Sequence, residues 1–146
     1  GRALGALRIE KGYGSWSREY SQEYWPQEVG LEGLIKLDKE FLHREAFLGI
    51  KDNAPREVLT TFEMEVTKDA DATGGEPIFA EDGTPVGRVT SGSYSYTVGK
   101  SLALGFRNPS VAMPGDTVFI QVLGKPHKAR ILKEAAFDPS GARLRA

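Results

Sequence analysis

Residues 89–106 constrain the fold of this 146-residue chain more than any other segment, because they read VTSGSYSYTVGKSLALGF. Two apolar stretches flank a centre that is rich in glycine, serine and threonine. Branched and aromatic side chains favour strands, whereas glycine and serine favour the turns between strands. The segment therefore predicts a strand, a corner and a second strand.

The same kind of pattern recurs through the second half of the chain. Residues 58–66 alternate between apolar or threonine side chains and polar ones, as a strand with one buried face does. A hairpin is predicted at residues 77–89, with Asp82 and Gly83 as its turn. Further strands are predicted at residues 102–106, 117–123 and 128–132. Short strands at such regular spacing indicate an antiparallel barrel or a sandwich.

We expect residues 56–135 to form a closed or nearly closed six-stranded antiparallel barrel, with residues 68–75 as a loop. The side chains predicted to lie mostly inside it are Val58, Phe62, Val66, Val86, Val89, Leu102, Leu104, Val118, Ile120, Val122 and Ile131. Tyr94 and Tyr96 are predicted to pack at the corner. The fold class is accordingly mainly β, preceded by a smaller α+β portion.

The chain divides at the polar, turn-forming residues 51–55. Residues 1–52 form one predicted unit, and residues 53–146 form the barrel. The first residues have neither an initiator Met nor a helix cap, so we expect residues 1–52 to be the end of a domain that begins upstream.

Three local predictions apply within residues 1–52. Leu4, Leu7 and Ile9 are predicted core contacts. The apolar residues of segment 31–37 predict a strand. Asp38 is the predicted N-cap of a helix over residues 39–48.

Composition excludes several classes of function. The chain has 19 basic and 20 acidic residues and a net charge of −1, which does not favour nucleic acid as a partner. It has no cysteine and only His43 and His127, so disulfides, thiolate zinc sites, cysteine nucleophiles and a His-rich metal cluster are excluded. Both histidines are expected to be exposed or capping. Without a bilayer-length apolar run or a targeting segment, we expect no membrane partner and a cytoplasmic location, or the mitochondrial matrix in a eukaryote.

Four motifs in order resemble those of the glycine-cleavage T-protein (aminomethyltransferase) family. Residues 87–105 follow its G-x-V-T-S-G-x-x-S-x-x-x-x-K-x-I-A-L-G pattern, and residues 7–13 follow its L-R-L-E-x-G segment. Residues 28–31 and 37–46 are similar to its T-P-x-E-A-G-L and K-x-D-F-I-G-R-E-A segments. Residues 11–16 and the tail from Phe137 resemble most the folate module of dimethylglycine and sarcosine dehydrogenases.

The resemblance implies a C-terminal barrel preceded by a remnant of the folate-binding domain. The parent protein would transfer a one-carbon unit from an N-methyl or aminomethyl donor to tetrahydrofolate. Implied partners are the missing N-terminal folate-binding domain and a possible upstream flavin oxidoreductase domain with FAD. The family's catalytic aspartate lies in that missing domain, so we expect no catalytic residue here and no activity from the isolated chain. The alternatives are a non-catalytic docking or closure module and an independent small-ligand binder.

Five residues are the candidates for cofactor binding that the resemblance implies. Arg8 and Arg56 could bind a folate carboxylate or a cleft acid, but each could also be a surface charge. Tyr24 and Trp25 could stack on the pterin or aminobenzoyl ring, or serve only as core anchors. Glu28 could orient a loop, contact substrate or make a structural hydrogen bond. No metal ligand is predicted.

Three departures from the family pattern concern local geometry. Trp25 stands where the family usually has threonine, and Val29 stands where it has alanine. His43 replaces a glycine, so we expect any turn with positive φ at that position to be relaxed or shifted.

Overall fold

The computed structural model describes residues 1–65 and 71–146. Within them, six strands form a closed barrel in which every neighbouring pair is antiparallel, in the order β1-β4-β3-β2-β5-β6. The strands are β1 (Val58–Met64), β2 (Pro77–Ala80), β3 (Pro85–Ser95), β4 (Lys100–Arg107), β5 (Thr117–Val122) and β6 (Lys125–Ile131). The predicted fold class is confirmed, and closure leaves none of these strands as a free edge.

The predicted hairpin turn is also present, because Gly83 has a φ of +85° between β2 and β3. Glycine adopts this left-handed conformation without steric cost. Strand β1 begins at the predicted residue and is described as far as Met64. Val66 and part of the predicted loop at residues 68–75 lie outside the described residues.

The barrel interior is an apolar core built mainly from inward-facing residues of the six strands, with Ala72 and Ala112 added from the connections between them. Its members are Phe62, Met64, Ala72, Ile78, Val86, Val89, Ala103, Ala112, Val118, Ile120, Val122, Ala129 and Ile131. Most of the predicted interior residues are in this cluster, while Val58 at the start of β1 is only partly buried. The period-two pattern therefore identified most of the core.

Leu102 and Leu104 were predicted to lie inside the barrel, which was wrong: both are buried, but on its outer surface. Phe62 pairs with Ala103 across β1 and β4, so the neighbours of Ala103 point the other way. Leu102 and Leu104 pack with Ile9 in a second apolar cluster. β4 is buried on both faces because another element covers its outer side.

That covering element is the first helix, α1 (Arg2–Glu10), which packs across β3 and β4. Ile9 is buried as predicted, but Leu4 and Leu7 are 70% and 53% exposed, so their assignment to the core was wrong. In a helix, residues at positions 4 and 7 share a face that turns away from the residue at position 9. No helix in the described part of the chain has the length and apolar character that crossing a bilayer requires.

The corner between β3 and β4 is less closely packed than the sequence predicts. Tyr94 and Tyr96 are both exposed, so their assignment to a packed corner was wrong. Their rings meet each other edge to face, with centroids 5.1 Å apart. The two residues lie at the end of the hairpin, where no other described element covers them.

The predicted strand at residues 31–37 is absent. This segment contains a short 3₁₀ helix (Glu32–Leu34), and Leu34 is 75% exposed. Short apolar runs do not distinguish a strand from other structures by periodicity alone. Other 3₁₀ turns occur at Pro26–Glu28 and Arg143–Arg145.

The second helix, α2 (Arg44–Ile50), begins five residues later than predicted, and Asp38 is not its N-cap. His43 occupies that position with a φ of +64°. The expectation that this turn relaxes was therefore wrong, since histidine retains the left-handed conformation. Among non-glycine residues, histidine is one of those that tolerate this region.

Candidate functional site

A buried carboxylate, that of Glu19, joins the N-terminal segment to the barrel wall. Its Oε1 accepts hydrogen bonds from the hydroxyls of Thr90 and Ser91, each at 2.6 Å, and its Oε2 accepts one from the Ser15 amide at 2.8 Å. The side chain is fully buried. Burial acts to raise the pKa of Glu19, but these hydrogen bonds outweigh it and hold the pKa below its usual value.

Glu10 makes a similar attachment at the far end of β3. Its Oε1 accepts from the Ser95 hydroxyl at 2.8 Å and from the Thr97 amide at 3.3 Å. Here too burial favours a higher pKa, and the hydrogen bonds from Ser95 and Thr97 lower it overall. The hydroxyl-rich stretch of β3 and its corner thus supplies donors to two buried acids. We call Glu10, Glu19, Thr90, Ser91 and Ser95 the carboxylate interlock.

Two glycines of the same strand allow close backbone approach. A Cβ at Gly87 would lie 1.8 Å from the Phe106 carbonyl oxygen, and one at Gly92 would lie 2.1 Å from the Ala72 carbonyl oxygen. Neither contact is possible for a residue with a side chain. The glycines and hydroxyls of the predicted signature therefore have structural roles in packing β3 against its neighbours.

A second carboxylate site lies at the other end of the N-terminal segment and contains three of the predicted residues. Arg56 donates from Nε to Glu28 Oε1 at 2.8 Å and from Nη2 to Glu28 Oε2 at 2.7 Å. The Arg56 and Trp25 amides each donate to Glu28 at 2.9 Å. Arg56 Cζ lies 4.4 Å from the centre of the Trp25 ring. The hydrogen bonds from Arg56 lower the pKa of Glu28 to about 2, against the smaller effect of burial.

Tyr24 extends this site onto the barrel. Its ring stacks on Phe106 with centroids 3.9 Å apart and planes 10° apart. Arg88 of β3 donates to the Tyr24 hydroxyl and, at 2.9 Å, to Glu57. Burial is the main reason that the pKa of Tyr24 is raised. We call Tyr24, Trp25, Glu28, Arg56 and Arg88 the Glu28 cluster.

Arg8 is in a different place from the other four predicted residues. It donates from Nη2 to the Ser91 hydroxyl at 2.7 Å and from Nη1 to the Tyr13 carbonyl at 3.1 Å, and it lies 3.5 Å from Glu19. The structure thus brings Tyr24, Trp25, Glu28 and Arg56 together and places Arg8 beside the carboxylate interlock, in contact with Ser91 and Glu19.

Sequence reasoning missed the buried roles of Glu10 and Glu19 and the contact of Arg88 with Tyr24. A signal for the first two was available in the hydroxyls at Thr90, Ser91 and Ser95. Hydroxyls on the buried face of a strand require polar partners. No comparable pattern marks Arg88, which is an exposed polar residue of β3.

An apolar groove of about 740 Å³ runs beside the Glu28 cluster. Its walls include Trp16, Tyr20, Tyr24, Pro26, Val29 and Leu34. Trp16 is 85% exposed. Large exposed apolar surfaces of this kind commonly mark ligand or protein contacts. The groove and the cluster together are the candidate functional site.

The protein is thus a closed six-stranded antiparallel barrel, and the buried side chains of Glu10 and Glu19 join the outer wall of this barrel to the segment that precedes it. Residues 58–138 match the model of the glycine cleavage T-protein C-terminal barrel domain, which is more than half of the chain. The chain belongs to this family.

Relatives agree with the family assignment, and a solved structure agrees with the fold. The chain is 37% identical over 146 residues to mouse (Mus musculus) dimethylglycine dehydrogenase, mitochondrial, and 34% identical over 131 residues to a probable aminomethyltransferase of Haloarcula marismortui. These alignments cover 97% and 88% of the chain. The crystal structure of the glycine cleavage system aminomethyltransferase T from Bartonella henselae has the same fold, with a TM-score of 0.80 at 20% identity over 94% of the chain.

The chain spans only part of each relative. It covers 17% of the mouse dehydrogenase, 36% of the archaeal protein and 38% of the Bartonella chain. It therefore corresponds to the barrel domain of aminomethyltransferase- and dimethylglycine dehydrogenase-type proteins, together with the segment that precedes this domain.

Proposed function

We propose that this chain is the barrel portion of a longer, tetrahydrofolate-dependent aminomethyltransferase or demethylase. In the parent, a one-carbon unit passes from an N-methyl or aminomethyl donor to tetrahydrofolate. The observation that carries the proposal is the convergence of Tyr24, Trp25, Glu28 and Arg56 into one cluster beside an aromatic groove. These four are among the five residues that the sequence predicts for cofactor binding.

The cluster suits a flat, partly anionic ligand. Trp25 and Tyr24 offer ring faces or edges, and aromatic side chains commonly line sites for such ligands. When bound, tetrahydrofolate supplies the nitrogen atoms that accept the one-carbon unit. Glu28 and Arg56 hold the backbone of Trp25 in place, which positions the ring before a ligand arrives. The role of these residues is binding and positioning.

In this proposal, Arg8 is held in position by its contacts with Ser91 and Glu19 of the carboxylate interlock. It would present a guanidinium at the wall of the cleft, near Ser91 and Glu19. The cleft itself is completed by the folate-binding domain upstream, where the chemistry takes place. The 146-residue chain alone therefore has no transfer activity.

FAD belongs in this proposal to a separate upstream flavin domain, as in the dehydrogenase branch of the family. We place the parent in the cytoplasm, or in the mitochondrial matrix of a eukaryote. The name of the mouse relative includes the word mitochondrial.

A non-catalytic docking or closure module is the second candidate. The specific observation in its favour is that Glu28 and Arg8 already have protein partners for their polar atoms. In that case the cluster holds the segment together, and the groove receives a neighbouring domain.

Titration of tetrahydrofolate into the intact parent separates the two candidates. Trp25→Ala is expected to weaken binding about tenfold, corresponding to the loss of one stacked ring. Tyr96→Ala is the matched control, since Tyr96 is an exposed aromatic residue at the β3–β4 corner. Unchanged affinity in the Trp25, Arg56 and Arg8 variants would support the docking module and contradict the cofactor-binding assignment.

A further inference from the structure

Arg107, the last residue of β4, is the one arginine in the described residues whose side chain is enclosed by the end of the barrel. It lies in register with Val58 and Gly87 and on the same side of β4 as Ala103, which is in the core. Arg107 is only 8% exposed. A charged side chain in such a position ordinarily has an ion-pair partner.

Within residues 1–65 and 71–146, Arg107 has no carboxylate at ion-pair distance. The hydrogen bond that satisfies it is from Nη1 to the Ala112 carbonyl oxygen at 2.7 Å, and the buried Nε has no acceptor. Burial lowers the pKa of Arg107, because a charged guanidinium is less well solvated inside the protein than in water. Asp116 lies beyond ion-pair distance, and its negative charge acts to raise the pKa of Arg107. The Oδ2 atom of Asp116 accepts a hydrogen bond from the Met113 amide at 2.8 Å.

Arg107 forms part of the wall of a cavity of about 430 Å³. The cavity lies where the start of β1, the segment around Gln27 and the residues after β6 meet, and its wall includes Lys11 and Lys133. Lys11 is already paired with Asp138. The wall also carries two carboxylates, both on exposed residues, Glu32 and Glu134.

A second unsatisfied group lies in the same wall. Gln27 donates from Nε2 to the Ile50 carbonyl at 2.8 Å, but its buried Oε1 has no donor. A guanidinium N–H without an acceptor and an amide oxygen without a donor are opposite in hydrogen-bonding character. Buried polar atoms without partners are rare in native proteins, and a bound ion or small molecule can supply the missing partner.

We propose that this cavity is a binding site for a small carboxylate, with Arg107 as the group that binds the anion. A guanidinium matches the geometry of a carboxylate better than that of any other common anion except phosphate. A ligand that also carries an N–H group, such as a small amino acid, would satisfy Gln27. This site is separate from the Glu28 cluster, and it does not depend on the proposed one-carbon chemistry.

The direct test is an NMR titration of the 146-residue chain that follows the Arg107 Nε–Hε resonance. Acetate, glycine and inorganic phosphate are the probes, at constant ionic strength with chloride as the reference anion. We expect saturable shifts with acetate and glycine, with glycine binding more tightly. The Arg107→Met variant is expected to bind about 10- to 100-fold more weakly, as the loss of a charge-assisted hydrogen bond implies.

Arg130→Gln is the matched control, because Arg130 is an exposed arginine on β6. It should bind acetate as the wild type does. Shifts that grow linearly with every anion, or equal binding by wild type and Arg107→Met, would overturn the proposal. Tight binding of phosphate without binding of acetate would also contradict the carboxylate assignment. If Arg107→Met fails to fold, Arg107→Lys serves instead, and it is expected to bind acetate more weakly than the wild type.

Discussion

The barrel interior and the N-terminal segment are held in place by different kinds of interaction. Inside the barrel, side chains such as Phe62 and Ile120 are fully buried among other apolar groups. The segment of residues 1–57 has little apolar core of its own. Two buried carboxylates, those of Glu10 and Glu19, attach it to β3, while a third, that of Glu28, joins Trp25 and Arg56 within the segment. The barrel therefore depends on packing, whereas the segment depends on charge and on complete hydrogen bonding.

This difference determines how each region responds to a change. Apolar cores lose stability in proportion to the volume removed. A buried carboxylate network instead loses stability because the groups that remain after one partner is removed are left unsatisfied. A change in pH should therefore destabilise the segment before it destabilises the barrel.

The largest effect is expected from Phe62→Ala in the barrel core. Removal of a fully buried phenyl ring should lower the free energy of unfolding by about 3–5 kcal/mol, as measured by urea denaturation. Leu144→Ala, at an exposed apolar residue, is the control and should change stability by less than about 0.5 kcal/mol. A loss below about 1 kcal/mol for Phe62→Ala would show that the barrel is not the stable part of the molecule.

The second prediction concerns the pH dependence of the Glu28 cluster. The folded pKa of about 2 lies below the usual 4.5, so this carboxylate stabilises the fold above pH 4.5 and loses that contribution as the pH falls towards 2. A ¹³C NMR titration of the Glu28 carboxyl should show the low midpoint. Arg56→Met should move the midpoint up towards 4.5 and remove this part of the pH dependence. An unchanged midpoint in that variant would mean that Arg56 does not set the charge state of Glu28.

A smaller effect is expected from Ser95→Ala in the interlock. The substitution removes one donor from buried Glu10 and leaves the Thr97 amide as its remaining partner. We expect a loss of about 1–2 kcal/mol in the free energy of unfolding. Ser93→Ala, at a partly exposed neighbour on β3, is the control. Equal stability of the two variants would argue against a role for Glu10 in attachment.

The smallest effect is expected from Tyr24→Phe. The variant keeps the ring stacked on Phe106 but removes the hydroxyl that accepts from Arg88. Because Arg88 is partly exposed and also pairs with Glu57, the loss should be below about 1 kcal/mol. Tyr24→Ala should cost clearly more, since it also removes the stacked ring. Similar losses for both variants would show that the hydroxyl, and not the ring, secures Tyr24.

The sequence was sufficient to predict the barrel but not the details of the segment. Alternation at Phe62, Val118 and Ile120 reports directly which face of a strand is buried. Leu102 shows the limit of that argument, because periodicity does not distinguish the inside of a barrel from a covered outer wall. Residues 31–38 were misassigned because a short apolar run does not distinguish a strand from a loop by periodicity alone.

The candidate site was predictable in part. Glu28 and Arg56 were predicted from the family resemblance, and Tyr24 and Trp25 from their aromatic rings; the structure brings these four residues together. Arg88 joins them from β3 and could not be predicted, because its role depends on how the segment lies against the barrel. Whether these residues bind tetrahydrofolate stays a prediction.

The most direct test of how the two regions are joined is hydrogen exchange of the 146-residue chain with Glu19→Gln, compared with Glu134→Gln at an exposed glutamate. Glu19 accepts hydrogen bonds from both the segment and β3, so its loss should release the segment selectively. We predict faster exchange of protected amides within residues 8–30 and unchanged protection in β5 and β6. Uniformly faster exchange throughout the barrel, or no change in residues 8–30, would contradict the claim that buried carboxylates attach an otherwise independent segment to a self-sufficient barrel.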